Sequence, residues 1–346
     1  MTNNMFFLPA EWEEQQCIQL TWPHEKTDWQ PILADITKTY VEMAIEIAQR
    51  EHLLIVAPQP ENALMAIREK VGNKLDNKIT LFSCPTNDTW ARDHGFITLI
   101  DQEKRHCKLL DFKFNGWGEK FAAEKDNAIN KNLYEANILD GDYESHLDFV
   151  LEGGSIESDG QGTIFTTTGC LMAPHRNQPL SKDDIEQRLK QTLRAKRIVW
   201  IDHGNLIGDD TDGHIDTLVR IAPNNTLVYV GCDDVNDKNY EELHLMEKQL
   251  YTLKTEDRKP FNLLRLPSPR PIQYDGEILP ATYANFLVIN GAVLYPTYNQ
   301  PDLDKEAGRI IGKAFTGREI IGIDCRNIII QHGSLHCCTM QYPKIY

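Results

Sequence analysis

Apolar residues spaced three and four apart alternate along the chain with short apolar runs, and the alternation recurs. After Ser181, the residues Ile185, Leu189 and Leu193 share one helical face. Ser181 followed three residues later by Asp184 predicts where that helix begins. The run Arg197–Ile201 then reads as a strand. The same order, helix then strand, is predicted over 60–71 with a strand around Leu81, and over 121–133 with a strand around Ile138. It recurs over 240–254 with a strand around Leu264, and over 303–315 with a strand around Ile321. These five strand anchors lie 57, 61, 65 and 57 residues apart. A near-constant period predicts repeated modules of about sixty residues. A module of one helix and a few strands cannot cover its own apolar face, so five of them are expected to close into a ring. No low-complexity or Pro/Gly-rich linker divides the sequence, so residues 1–346 are read as one α/β domain.

Polar, glycine-containing loops follow each strand anchor at similar offsets. Asp93 lies 12 residues past its anchor, Glu152 14, His214 15 and Cys337 16, while Asn285 lies 21 past its own. A ring would bring these positions together near its axis.

The chain has 346 residues, with 36 Lys+Arg against 51 Asp+Glu, and a formal net charge of −15. That balance argues against nucleic acid or an anionic membrane as partner and suits a small cationic ligand. No run of about 18 apolar residues predicts a membrane span. No basic-then-apolar segment at the start predicts secretion, so a cytoplasmic location is expected. The eight cysteines are scattered without a C-x-x-C pair, which argues against a paired-cysteine zinc site.

Four stretches carry chemistry. Trp90-Ala91-Arg92-Asp93-His94-Gly95 offers a carboxylate beside an indole. Leu151-Glu152-Gly153-Gly154-Ser155 sets a carboxylate at a strand end before two glycines. Asp209-Asp210-Thr211-Asp212-Gly213-His214-Ile215-Asp216 begins like a calcium loop, but no bidentate Glu follows at the required position. His214 and Asp216, two apart before a strand-like run, instead share a face, which suits a tuned acid/base. Gln331-His332-Gly333-Ser334-Leu335-His336-Cys337-Cys338-Thr339 supplies a thiol, in a spacing that fits no zinc module. One thiol, one imidazole and three carboxylates (Asp93, Glu152, Asp216) is the combined inventory. Carboxylates facing a carbonyl would oppose the negative charge of acyl transfer, whereas a planar guanidinium with N–H donors on several edges wants them.

These motifs, taken in order with Leu8-Pro9-Ala10-Glu11-Trp12, Trp22-Pro23, Phe114-Asn115-Gly116-Trp117-Gly118 and Tyr283-Ala284-Asn285-Phe286, run nearly end to end. The sequence resembles the agmatine deiminases of the bacterial peptidyl-arginine deiminase family, within the guanidino-group modifying (pentein) superfamily. The resemblance implies a five-bladed, pseudo-symmetric α/β propeller. It also implies metal-free and cofactor-free hydrolysis of agmatine to N-carbamoylputrescine and ammonia in polyamine synthesis. By motif position it implies Cys337 as nucleophile, His214 as acid/base, Asp93 and Asp216 as guanidinium carboxylates, and Glu152 as the support of the histidine. Two departures stand out: Gln331-His332-Gly333-Ser334 where the family often has glycines, and Gly95-Phe96 where it often has Gly-Pro. Trp90 and Trp117 either flank the substrate or pack the core. Asn285 is expected to shape the pocket, and Asp210 to anchor the distal amine of agmatine. Arginine, peptidyl-arginine and methylarginine remain alternative substrates, an interaction scaffold an alternative class, and the outer face of a closed ring leaves a homodimer open.

Overall fold

The computed structural model describes residues 5–346. Its recurring element is a mixed three-stranded unit: an antiparallel pair, then a helical crossover to a third strand parallel to the second. Parallel neighbours need such a crossover, and a helix is the usual one. One unit pairs Ile97–Asp101 with Cys107–Lys113 and returns through the helix Asp126–Glu135 to Asp142–Val150. The next pairs Ile156–Ser158 with Thr163–Thr167 and crosses by Lys182–Thr192 to Arg197–Ile201. A third pairs Val219–Ala222 with Thr226–Val230 and crosses by Tyr240–Thr252 to Asn262–Leu266. A fourth pairs Leu287–Ile289 with Ala292–Thr297 and crosses by Pro301–Ala314 to Glu319–Asp324. The remaining unit joins the two ends of the chain. Thr339–Pro343 runs antiparallel to Gln15–Thr21, which crosses by Leu33–Ala48 to the parallel strand His52–Ala57. Each sheet is small, and none among the described residues closes on itself.

The helix after Ser181 forms as its sequence predicts. Asp184 N–H donates to Ser181 Oγ at 3.2 Å, and Ser181 N–H donates back to Asp184 Oδ2 at 3.0 Å. This reciprocal cap is worth about 1 kcal/mol. Ile185, Leu189 and Leu193 are buried on one face against the neighbouring strands.

One anchor is displaced, and another sits on a strand outside the repeated unit. Ile138 lies in the turn after a helix, and its strand starts only at Asp142. The helix itself begins at Asp126 rather than near Phe121, because Gly116, Trp117, Gly118 and Glu119 all hold positive φ and break the chain's helical course. Leu81 is in a strand, Ile79–Ser83, but that strand is an addition. A second helix, Glu61–Val71, carries it to the edge of the terminal unit beside His52–Ala57. The first module is therefore longer than the period implies. A further edge strand, Phe6–Phe7, and the hairpin Gln273–Tyr274/Glu277–Ile278 also lie outside the repeated unit.

The connectors between units share one topological position, from the third strand of one unit to the first strand of the next. Asp93, Glu152, His214 with Asp216, Asn285, and Cys337 occupy the five connectors in turn. Four of these connectors tighten into a single helical turn at the chemical residue or right beside it: Ala91–His94, Gly153–Ser155, Ile215–Thr217 and His336–Cys338. No helix among the described residues is long and apolar enough to cross a membrane.

Candidate active site

The connector turns converge. Cys337 Sγ lies 3.4 Å from Asn285 Oδ1 and 3.9 Å from Asp216 Oδ2. The Asn285 side chain organises that turn, since its Oδ1 also accepts from the His336 amide at 2.9 Å. Its Nδ2 donates to the Asp216 carbonyl at 3.4 Å. His214 Nδ1 lies 3.6 Å from Asp93 Oδ1. Asp93 is further held by the Gly154 amide at 3.1 Å and by Trp117 Nε1, which donates to Oδ2 at 3.0 Å. All five reactive residues are buried, none exposing more than 4% of its surface.

Gly154 sits where these groups meet. A Cβ there would stand 2.7 Å from His214 Nδ1, 2.9 Å from Asp93 Oδ1 and 3.1 Å from Asp216 Oδ2. No side chain fits at that point. Glycine is therefore required by the close approach of three polar groups, and its backbone is not in the left-handed region.

The electrostatics follow from crowding acids and a thiol away from water. Burial pushes the Asp93 carboxyl up to about 6; the imidazole of His214 opposes this, and the charges of Asp216 and Glu152 add to it. Burial alone would lower the pKa of His214, but Asp93, Cys170 and Glu152 outweigh it and raise it well above the ordinary histidine value. Burial likewise tends to raise Asp216, yet its bond to His336 holds it below the usual carboxylate range. The Cys337 thiol is raised well above its usual value by burial, then by Asp216 and Asp93. Left to its own groups, the site therefore favours a neutral thiol and a charged imidazole. Among the described residues, Asp216 Oδ1 and both ring nitrogens of His214 have no hydrogen-bond partner, so one carboxylate acceptor and the two donors of the charged ring stand ready for something not supplied by the chain.

Beneath the site lie residues that the sequence gives no reason to single out, some inside the motifs, such as Glu11 and His336, and some outside them, such as Arg176 and Arg220. Arg176 Nε donates to Glu152 Oε1 at 2.7 Å, and Arg176 also pairs with Asp212 at 2.7 Å. His336 bridges two acids, with Nδ1 2.8 Å from Asp216 Oδ2 and Nε2 2.9 Å from Glu11 Oε2. A carboxylate only accepts, so Nδ1 donates to Asp216, while Nε2 also lies 3.1 Å from Nη2 of Arg220, a donor. The fully buried Arg220 is neutralised by Glu11 and Glu157, and its guanidinium lies 4.5 Å from the Phe286 ring centroid. Nothing in linear spacing marks Arg176 or Arg220, since their partners are 24 to 209 residues away.

The two tryptophans separate. Trp117 touches Asp93 directly and holds φ 57° between Gly116 and Gly118, also at positive φ. Left-handed backbone in a bulky residue costs roughly 1–2 kcal/mol and persists where surroundings enforce it. Trp90 packs inward, donating to Asp88 Oδ2 at 2.9 Å and lying 5.7 Å from the Trp29 ring. Gly333 lies flat against the Trp90 ring, where any Cβ would clash. Asp210 stands outside this knot, half-buried, with its carboxylate 3.8 Å from His332 Nδ1. Of the acids in the calcium-like run, Asp209 caps the amides of Thr211 and Gly213 within the loop, while Asp212 pairs outside it with Arg176 and Lys120. Cys338 turns away from the site and donates to the Ser334 carbonyl at 3.4 Å.

The profile of the Porphyromonas-type peptidyl-arginine deiminase family matches residues 7–343. A Campylobacter jejuni agmatine deiminase, solved with substrate bound in a form with one cysteine changed to serine, is 36% identical with a TM-score of 0.90, covering 100% of this chain and 98% of that one. A putative arginine deiminase from Porphyromonas gingivalis is 43% identical with a TM-score of 0.92, covering 99% of this chain and 100% of that one. A putative agmatine deiminase from Legionella pneumophila is 34% identical over 99% of this chain and 96% of its own length. The α/β fold alone is shared with a dimethylarginine dimethylaminohydrolase, 12% identical with a TM-score of 0.51 over 95% of this chain and 100% of that one. The family thus joins a continuous match of sequence to a match of fold over the same residues. The chain belongs to the Porphyromonas-type peptidyl-arginine deiminase family.

Proposed function

We propose that this protein hydrolyses agmatine to N-carbamoylputrescine and ammonia through a covalent intermediate on Cys337, supplying a precursor of putrescine in the cytoplasm. The observation that carries the reading is the thiol of Cys337 set against Asp216 and Asn285, inside a buried cluster where Asp216 Oδ1 and Glu152 Oε2 are acceptors without a partner. Such a cluster is poor at binding an anion or stabilising an oxyanion, and it suits a planar cation with several N–H edges.

In this reading Asp93 and Asp216 grip the guanidinium and turn its central carbon toward the sulfur. The arriving positive charge offsets the acids that hold the thiol neutral, so the thiol proton leaves to solvent as substrate enters. The thiolate attacks the carbon and a C–S bond forms. The protonated ring of His214 then delivers its proton to the departing nitrogen, and the C–N bond breaks to release ammonia. Neutral His214 takes a proton from water. The resulting hydroxide adds to the amidino-thioether, the C–S bond breaks, and the hydroxyl proton passes to the leaving sulfur, which returns the thiol and the neutral ureido product. Glu152 is the acid that supports the imidazole, and His336 is a positioning residue that holds Asp216 from behind. Trp117 keeps Asp93 in place, Asn285 sets the Cys337 turn, and Trp90 acts by packing. Asp210 is the acid of the outer shell proposed to meet the distal amine.

The five repeated units, one of them formed by pairing Gln15–Thr21 with the last strand, Thr339–Pro343, support closure into a five-bladed propeller forming one catalytic domain. The eight free cysteines accord with a reducing compartment.

Arginine is the second reading, favoured by the Porphyromonas gingivalis relative's name. It requires a cation for the α-carboxylate. Arg176 and Arg220 are already paired with acids, and Lys120 is held by Asp212 and the Asp210 carbonyl. Incubating the protein separately with agmatine, arginine and blocked arginine, and following ureido product and ammonia, tests the proposal. Product from agmatine alone is expected; faster turnover of arginine overturns it in favour of the second reading.

A further inference from the structure

One buried thiol beside the site has no part in that chemistry. Cys170 lies on the helical turn Thr168–Leu171, and it is completely buried. Its sulfur, a carboxylate oxygen of Glu152 and a ring nitrogen of His214 lie within 4.8 Å of one another. A structural cysteine ordinarily packs among apolar atoms. This one faces polar groups without partners among the described residues: Glu152 Oε2 and both nitrogens of His214 lack hydrogen bonds, and neither residue exposes any surface. Arg176 occupies the other Glu152 oxygen at 2.7 Å, which leaves Oε2 free. Its charge is in turn matched by Asp212. A second cluster of similar composition, Glu11, Glu157 and His336, is already filled by the guanidinium of Arg220. No described side chain fills the cluster at Cys170 in that way.

We propose that Glu152, Cys170 and His214 form a binding site for a thiophilic divalent cation, zinc above all, and that its occupation blocks the reaction at Cys337. One sulfur, one imidazole nitrogen and one carboxylate oxygen suit zinc, whereas magnesium and calcium require oxygen shells. Tetrahedral zinc sets such donors about 3.4–3.6 Å apart, so donors within 4.8 Å reach it by small side-chain rotations. Binding releases the Cys170 thiol proton and the proton on the ligating nitrogen of His214 to solvent, leaving a neutral imidazole, and thiolate and carboxylate together balance the dication. The metal opposes the hydrolysis and takes no part in it. Its inhibitory effect rests on the role of His214 proposed above, because zinc consumes the imidazole lone pair that activates water. Its binding does not rest on that role.

Cobalt(II) and zinc titrations of the metal-free full-length chain test this in the native protein, Cys337→Ser and Cys170→Ser, with Cys170→Ala as a second variant in case serine disturbs folding. The native protein and Cys337→Ser are expected to bind one ion per chain, with thiolate-to-cobalt charge-transfer absorption that zinc removes. Both Cys170 variants, shown folded by circular dichroism, are expected to lose that absorption and to bind zinc more than about 100-fold more weakly. Absorption that survives in the Cys170 variants and vanishes in Cys337→Ser overturns the proposal, as does absence of stoichiometric binding. Agmatine turnover that persists with zinc bound overturns the inhibitory half. Zinc bound as described in a protein that never turns over agmatine leaves the site standing and refutes the proposed function instead.

Discussion

Replacing Gly154 by alanine isolates the geometry on which the proposed chemistry depends. The residue is not held at positive φ, so alanine carries no backbone penalty there, and the effect comes from one methyl group. That methyl would stand 2.7 Å from His214 Nδ1 and 2.9 Å from Asp93 Oδ1, whereas ordinary contact begins near 3.4 Å. The imidazole must therefore retreat by about 0.7 Å and the carboxylate by about 0.5 Å, both away from the same point. Overpacking of this kind costs roughly 1–3 kcal/mol of stability. A misplacement approaching 1 Å at reacting groups costs about 100-fold in rate, or about 2.7 kcal/mol of barrier. Steady-state kcat/KM for agmatine, measured well below the midpoint of the variant's thermal unfolding, separates the two effects. A folded Gly154→Ala protein is expected to lose about two orders of magnitude in kcat/KM. Wild-type kcat/KM in that variant would refute the claim that these three groups act together at this contact.

Further expectations follow from other contacts. Cys337→Ser abolishes ammonia release, while Cys338→Ser, whose sulfur donates to the Ser334 carbonyl, retains activity within a few-fold, as a discontinuous ammonia assay would report. Because burial pushes Asp93 up to about 6, guanidinium binding to the inactive Cys337→Ser protein strengthens as pH rises through about 6 and is lost below it. Calorimetric titration should find that acid limb in Cys337→Ser and not after a further Asp93→Asn change. Glu51 lies away from the site, and burial raises its carboxyl to about 7 from an ordinary value of 4.5. A raised carboxyl contributes stability that is present below 4.5 and lost as pH rises through about 7. Glu51→Gln is therefore expected to unfold at higher denaturant than the native chain at pH 8, by up to about 3 kcal/mol, with no advantage at pH 4. Equal stabilities at pH 8 would contradict it.

Much of this arrangement was legible from the chain because chemistry and period coincide on the connectors. The helix after Ser181 carries its own cap and apolar stripe, both local in sequence. The strands around Leu264 and Ile321 fall within Asn262–Leu266 and Glu319–Asp324 as expected. The strand around Leu81 also falls where expected, within Ile79–Ser83, though as an added edge strand of its unit, whereas Ile138 lies in the connection between the helix Asp126–Glu135 and the strand Asp142–Val150. Asp93, Glu152, His214, Asp216, Asn285 and Cys337 were visible because each stands in a motif. Arg176, Arg220 and Cys170 were not, because a buried ion pair or an orphaned acceptor exists only after distant connectors meet. Gly154 was visible as a turn residue and not as the floor of the site, since its contribution is the side chain it lacks. Asp210, singled out for its neighbours in sequence, lies among the outer residues instead of the central knot.

The most direct measurement is the mass of the protein quenched in acid during turnover of agmatine. A fraction of chains should be heavier by agmatine less ammonia, with the added mass located by fragmentation on Cys337 and absent from Cys337→Ser. Rapid formation of ureido product with no modified chain at any time, or with the modification on another residue, would contradict the account.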